Sequence, residues 1–146
     1  MDLNILFILS GQSNFNKDML ESLMPFIKSK KSSLFFTYIV EVPLKYPIDS
    51  EDKDLSQDYS IAEKILKDFQ RDINLNKISS NQTSSAFYRA RDLSSGIIGV
   101  AKEKQSNLII IPELIIGLRS TESPYFSLRK IISKLGASIM IWQGED

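Results

Sequence analysis

Two short stretches of this sequence are apolar at nearly every position, Leu3 to Leu9 and Leu108 to Ile111. A strand with one face in water alternates polar and apolar residues, whereas a strand covered on both faces reads as an uninterrupted apolar run. Each run is also closed at once by a turn or a proline, Ser10-Gly11 in the first case and Pro112 in the second. Both runs are therefore predicted to be strands buried on both faces.

Helical periodicity occupies the segments between the predicted strands. The clearest example repeats apolar residues at three- and four-residue spacing, which places them on one face: Leu55, Tyr59, Ala62, Ile65, Leu66, Phe69 and Ile73. Asn16 is expected to cap an earlier helix from about Lys17 to Lys30, which Pro25 must bend or interrupt. Asp92 and Ser123-Pro124 are expected to begin two later helices. The inner face of the last helix is predicted to consist of Leu128, Ile131, Ile132 and Leu135.

Three further strands complete the pattern: Leu34 to Val42, a weaker one around Thr83 to Arg89, and Ala137 to Trp142. Strands then alternate with helices along the whole chain. Because such connections are right-handed crossovers between parallel strands, this order predicts an α/β fold with a doubly wound, five-stranded parallel sheet and helices on both faces. Residues 1–146 are expected to form one domain, a length within the usual domain size.

The composition excludes several classes of function. The chain has no Cys and no His, which removes thiolate chemistry, the commonest general base and the commonest metal ligand. Lys plus Arg and Asp plus Glu both number 18, so no net charge draws the chain to nucleic acid or anionic lipid. No apolar run approaches the roughly 18 residues of a membrane span. We therefore expect a cytoplasmic, non-enzymatic protein that binds neither nucleic acid nor metal.

Two clusters of charged residues have an ordinary structural interpretation. The first is acidic and lies at a predicted helix start: Asp49, Glu51, Asp52 and Asp54. It lacks the spacing and the central glycine of a Ca²⁺ loop, so we expect it to complement the helix dipole. The second consists of Arg89, Arg91 and Arg119, for which surface ion pairs are expected ahead of a shared anion. The candidate acidic partners are Asp92, Glu113 and Glu122.

In a doubly wound sheet, ligands bind beyond the carboxyl ends of the strands, where the strand order reverses. The residues predicted at this edge are Ser10 and Gly11 after the first strand, Ile39 and Val40 in the second, and Pro112 to Thr121 after the fourth. The turn that begins at Ser10 lacks the glycine-rich fingerprints of phosphate-binding loops, and we expect it to be a plain turn.

Taken in this order, three segments resemble the universal stress protein family. NILFILSGQS is similar to the family's opening strand and turn, LFFTYIVEVP to its second strand, and RDLSSGIIGVAKEKQSNLIII to a turn, helix and fourth strand. The resemblance covers nearly the whole chain and implies the strand order 3-2-1-4-5. The arginine-containing third turn resembles that of stress-protein-like domains attached to membrane transporters, which implies a transporter as one partner.

The resemblance also implies a nucleotide site, from which this sequence departs. Family members that bind ATP carry an acid at the end of the first strand, where this chain has Ser10. They carry a Gly-x-x-Gly turn after the fourth strand, where this chain has Pro112 and Ile115, and then a Gly-Ser pair, which falls near Phe126-Ser127. Glycines let a backbone approach phosphates, so a cradle without them is expected to hold a triphosphate poorly. We therefore predict a regulatory or interaction domain with a degenerate nucleotide cleft.

Two alternatives and one expected partner accompany this interpretation. The chain binds ATP or AMP if Gly117, Arg119 and Ser127 rebuild a phosphate site by another route. The aliphatic residues Leu114 to Ile116 either fold down and fill the empty cleft or form an apolar patch for a partner, another subunit or an apolar ligand. The last strand, Ala137 to Trp142, is apolar on both faces, and its counterpart in the family often pairs with a second subunit at the sheet edge. We expect a homodimer through this strand.

Overall fold

The computed structural model describes residues 3–27, 32–78, 82–116 and 128–144. The strands in these ranges are β1 (Leu3–Ile8), β2 (Ser32–Glu41), β3 (Thr83–Ala90), β4 (Leu108–Pro112) and β5 (Ser138–Trp142). The helices are α1 (Ser13–Ser22), α2 (Met24–Ile27), α3 (Lys53–Leu75), α4 (Leu93–Glu103) and α5 (Leu128–Lys134). Residues 113–116, directly after β4, are also helical.

The five strands form one sheet in the order β3-β2-β1-β4-β5, and every neighbouring pair is parallel. The predicted α/β class and strand order are confirmed. The central pairing places Ile5 opposite Leu34 on one side and opposite Leu108 on the other. The strand order reverses between β1 and β4, which is where a ligand cleft is expected.

Successive residues of β1 contribute to two separate apolar cores, one on each face of the sheet. Phe7 packs with Phe36 and Phe69 on the face covered by α1 and α3. Leu6 and Ile8 point to the other face, into a cluster with residues of α4 and α5. Because side chains alternate across a strand, a continuous apolar run is what this two-sided burial requires.

The first helix begins earlier than predicted. It starts at Ser13 rather than near Lys17, and Asn16 is a buried residue inside it rather than its cap. The interruption predicted at Pro25 is confirmed, because α1 ends at Ser22 and a separate short helix, α2, contains the proline. Proline lacks an amide hydrogen and its ring crowds the preceding turn, so the helix cannot continue through it.

The long helix α3 matches the predicted apolar face, and the acidic stretch lies at its start. Asp52 caps the helix by accepting a 2.9 Å hydrogen bond from the amide of Asp54. Leu66 is only partly buried, whereas the polar Asp72 is buried on the same face. The described residues contain no group of three acidic side chains placed to hold a metal ion.

The last helix departs from its predicted inner face. Ile131 is buried in the core, but Ile132 is 57% exposed. Adjacent helical positions point about 100° apart, so the two cannot both face the sheet. The helix start predicted at Ser123-Pro124 lies outside the described residues. Among the helices that the structure describes, none has the length and apolar character to cross a bilayer.

Helix α4 packs closely against β2, and one glycine makes this approach possible. A Cβ atom on Gly96 would lie 2.7 Å from Cγ2 of Ile39 and 3.0 Å from Cβ of Ala90. Both neighbours are buried and attached to the sheet, so neither moves away easily. Gly99 lies in the same helix, but a Cβ there would meet nothing within 4 Å.

These two glycines give a matched test of the packing. We expect Gly96→Ala to lower the free energy of unfolding by about 1–3 kcal/mol, because the added methyl overpacks the interface. Gly99→Ala should raise it by up to about 1 kcal/mol through the higher helix propensity of alanine. Urea unfolding of both variants measures the difference. Equal stability of the two would contradict the close approach of α4.

Candidate functional site

A cleft opens at the carboxyl ends of β1 and β2, beside the point where the strand order reverses. Its volume is about 310 Å³, near the lower end of the roughly 300–1,000 Å³ of small-molecule sites. Four segments surround it: the end of β1, the end of β2, the start of α4, and the helical turn after β4. The residues that line it are Leu9, Ser10, Gly11, Gln12, Tyr38, Ile39, Leu93, Leu114 and Ile115.

A buried amide side chain holds the turn between β1 and α1. The Oδ1 atom of Asn16 accepts hydrogen bonds from the amide and the hydroxyl of Ser10, each at 2.9 Å. The Nδ2 atom of Asn16 donates to the carbonyl oxygen of Ser10, also at 2.9 Å. The hydroxyl of Ser10 in turn accepts from the amide of Gln12. The amide, the carbonyl and the hydroxyl of Ser10 are therefore all hydrogen-bonded within the protein, and these bonds hold this edge of the cleft.

A second contact ties the same turn to α3. The hydroxyl of Ser13 donates a 2.8 Å hydrogen bond to Asp68. This bond, assisted by Lys64, lowers the pKa of the Asp68 carboxyl below its ordinary value, although desolvation opposes the shift. Because Asp68 is ionised at neutral pH, it remains an acceptor for the first residue of α1. The turn is thus anchored by both β1 and α3.

The aliphatic residues after β4 form part of the cleft wall. Ile115 is buried against α4 and belongs to the core on that face of the sheet. Leu114 and Ile116 are half-buried, and Leu114 lines the cleft beside Ile115. The segment therefore folds inward, as the first of the two interpretations of Leu114 to Ile116 expects, but it does not fill the cleft, of which about 310 Å³ stays open.

The structure brings together some of the predicted site residues and separates others. Ser10, Gly11 and Ile39 line the cleft. Val40 instead packs into a small core beside α3, and Pro112 is buried at the end of β4. The predicted residues Gly117, Arg119 and Ser127 lie outside the described residues.

Sequence reasoning did not place Leu9, Tyr38 or Leu93 at the site, although all three line the cleft. Tyr38 precedes the predicted Ile39, and the cleft touches both because it extends around the end of β2. Leu93 directly follows the helix cap Asp92, whose carboxylate accepts from the amide of Ser95 at 2.8 Å. The first residue of a helix that directly follows a parallel strand lies at the carboxyl edge of the sheet. The position of Leu93 after the predicted cap Asp92 could therefore have indicated that it lies near the cleft.

Arg89 and Arg91 of the predicted arginine cluster are held by structural contacts and not by the predicted acids. Arg89 lies 3.3 Å from Glu51 and stacks over the ring of Tyr59. Arg91 donates to three backbone carbonyls in the segment after β2, those of Val42, Pro43 and Tyr46. The predicted partner Asp92 caps α4 instead. Arg89 binds an acid and Arg91 binds backbone carbonyls that come close only in the folded chain. The acids nearest in sequence therefore did not predict the partners of these arginines.

The lining of the cleft contains apolar side chains, hydroxyls and one amide, but no charged side chain among the described residues. Such a wall can enclose an apolar or aromatic group and give it a few hydrogen bonds. In its described part it offers no side-chain cation for an anionic group, and no carboxyl, imidazole or amine group for proton transfer.

Comparison with solved structures identifies the fold. A universal stress protein from Archaeoglobus fulgidus matches with a TM-score of 0.62 at 12% identity, over 97% of this chain and 98% of that chain. A protein of the universal stress protein family from Burkholderia pseudomallei matches with a TM-score of 0.62 at 15% identity, over 95% of this chain and 94% of that chain. The Archaeoglobus protein in complex with dAMP matches with a TM-score of 0.58 at 11% identity, over 95% of this chain and 96% of that chain.

At these identities the likeness concerns the fold, and the chain has the fold of universal stress proteins. No protein-family model matches the sequence, and no curated protein does.

The role of Asn16 in the cleft edge can be tested by truncation. We expect Asn16→Ala to lower the free energy of unfolding by about 1–3 kcal/mol, because it leaves the buried amide and carbonyl of Ser10 without partners. Asn14→Ala is the matched control, since Asn14 is exposed on the same helix, and its effect should stay within about 0.5 kcal/mol. Urea unfolding measures both. A neutral Asn16→Ala would show that this network does not hold the turn.

Proposed function

We propose that the chain is a non-enzymatic regulatory domain whose cleft accepts a small, largely apolar ligand and does not hold a triphosphate. The observation that carries this proposal is the uncharged lining of the cleft in the described residues. Placing phosphates in a pocket without opposing charge is unfavourable, because desolvation of the anion is not offset. Backbone amides can offset it at a helix start, but Pro112 has no amide hydrogen to offer at the end of β4.

The absence of His and Cys from the sequence supports the non-enzymatic part of the proposal. Tyr38 is the one ionisable side chain in the described lining, and no carboxyl, amine or imidazole group accompanies it there. General acid–base catalysis works best with a group that titrates close to the working pH. A binding role therefore suits this lining better than a catalytic one.

Adenine-nucleotide binding is the second candidate function, and one observation favours it. A universal stress protein with the same fold was solved in complex with dAMP. A nucleoside presents an aromatic base and a sugar, which an apolar cleft with hydroxyl and amide groups can accommodate. The two candidates differ in what they require of the phosphates, so a comparison of ligands with different phosphate counts separates them.

Calorimetry with adenosine, AMP and ATP, with and without Mg²⁺, tests the proposal. We expect ATP to bind no more tightly than adenosine, and Mg²⁺ to have no effect, because the phosphates gain no ionic contact. Gly11→Phe should abolish any adenosine binding, since a side chain there begins beside Tyr38 at the cleft. Gly136→Phe is the control, in open space. Tight, Mg²⁺-dependent ATP binding would instead establish the nucleotide-binding alternative.

A homodimer through β5 is the second part of the proposal. This strand is an edge of the sheet, and Ile141 on it is 37% exposed. An apolar edge strand invites pairing with another chain, and a two-fold dimer would cover it. The family resemblance also leaves a membrane transporter as a predicted partner and the cytoplasm as the predicted location.

Sedimentation analysis at micromolar concentration tests the dimer. We expect twice the mass of one chain, and we expect Ile141→Lys to yield single chains because it places a charge on the edge. Ile132→Lys adds the same charge at an exposed position on α5 and should leave the dimer intact. A single-chain mass for the unmodified protein would refute the dimer.

A further inference from the structure

A second pocket lies between α1 and the end of β5. Its volume is about 270 Å³, and its lining residues are Phe15, Asp18, Glu21, Ser22, Trp142 and Gly144. None of these lines the cleft described above. The pocket combines two aromatic rings with two carboxylates, and no Lys or Arg lines it in the part of the chain that the structure describes.

Helical spacing explains how α1 builds one wall. Phe15, Asp18 and Ser22 are three and four residues apart, which places them along one face of the helix. Glu21 is three residues after Asp18 and adjoins this row. Asp18 and Glu21 are exposed, and neither makes a hydrogen bond or an ion pair within the described ranges. Their charges are therefore available to a ligand.

The end of β5 builds the other wall. The ring of Trp142 meets that of Phe15 edge to face, with centroids 4.9 Å apart and planes 73° from parallel. Gly144 closes the pocket with a positive φ of 82°, and a Cβ there would lie 3.1 Å from the Phe15 ring and 3.2 Å from the Trp142 ring. The two half-buried rings and the backbone of Gly144 thus line the pocket together.

We propose that this pocket binds a small alkylated ammonium ion. The faces of aromatic rings attract cations, and tryptophan does so most strongly. Alkyl groups on the nitrogen add apolar contact with both rings, while Asp18 and Glu21 supply the opposing charge. Lys17 is one helical turn before Glu21 and does not line the pocket, and the charges of both residues act on Asp72 of α3. The proposal is independent of what the sheet-end cleft binds.

The sequence supplies a direct readout, because Trp142 is its only tryptophan. Titration of the full chain with choline, followed by tryptophan fluorescence, should give a saturable change. The neutral isostere of choline, in which carbon replaces the ammonium nitrogen, should give a much weaker response at the same concentration. Sodium chloride at matched ionic strength should give none. An equal response to the isostere would show a merely apolar pocket and would overturn the proposal.

Variants separate the two parts of the site without disturbing the core. Phe15→Leu keeps apolar bulk and should weaken choline binding about twofold to fivefold, the size of an exposed cation–π contact. The double variant Asp18→Asn, Glu21→Gln should weaken it roughly fivefold to tenfold through the lost charges. Glu63 is an exposed acid on α3, away from the lining of this pocket, and Glu63→Gln should leave binding unchanged. No saturable response to choline, or unchanged affinity in the double variant, would refute the ammonium site.

Discussion

The structure depends on the burial of β1 and β4 on both of their faces. Leu6, Phe7 and Ile8 of β1 are fully buried, as are Ile109 and Ile110 of β4. Two strands without a solvent face require helices above and below the sheet, and parallel neighbours require a crossover at every connection. The connections at the carboxyl edge then converge beside these two strands, and the cleft is the space left between them.

Polar residues around this cleft serve the protein itself. Asn16 binds the backbone of Ser10, Asp92 caps α4, and Arg91 holds the segment after β2 through its carbonyls. Buried backbone groups need such partners, and a side chain that is bonded to the backbone is no longer available to bind a ligand. Within the described residues, the cleft lining is left without charged side chains, whereas Asp18 and Glu21 make no hydrogen bond or ion pair there. The two pockets consequently differ in charge as well as in position.

The likeness to universal stress proteins persists at 11–15% identity in the structures compared. A fold of this kind needs apolar residues at the right period and small residues where layers approach, as at Gly96. It does not need particular side chains at the carboxyl edge, and function resides there. Ser10 after β1 and Pro112 at the end of β4 are therefore compatible with the fold.

The sequence by itself determined the features that arise from local periodicity: the strands, the long helix α3, the cap at Asp92 and the break at Pro25. Strand order also followed, through the family resemblance. Only the tertiary structure decided the partners of Asn16, Arg89 and Arg91, and it alone brought Phe15 to Trp142. Apolar periodicity and helix capping involve residues a few positions apart, so they can be recognised in the sequence. The contacts of Arg89, Arg91 and Phe15 join residues that are distant in sequence and that only folding brings together.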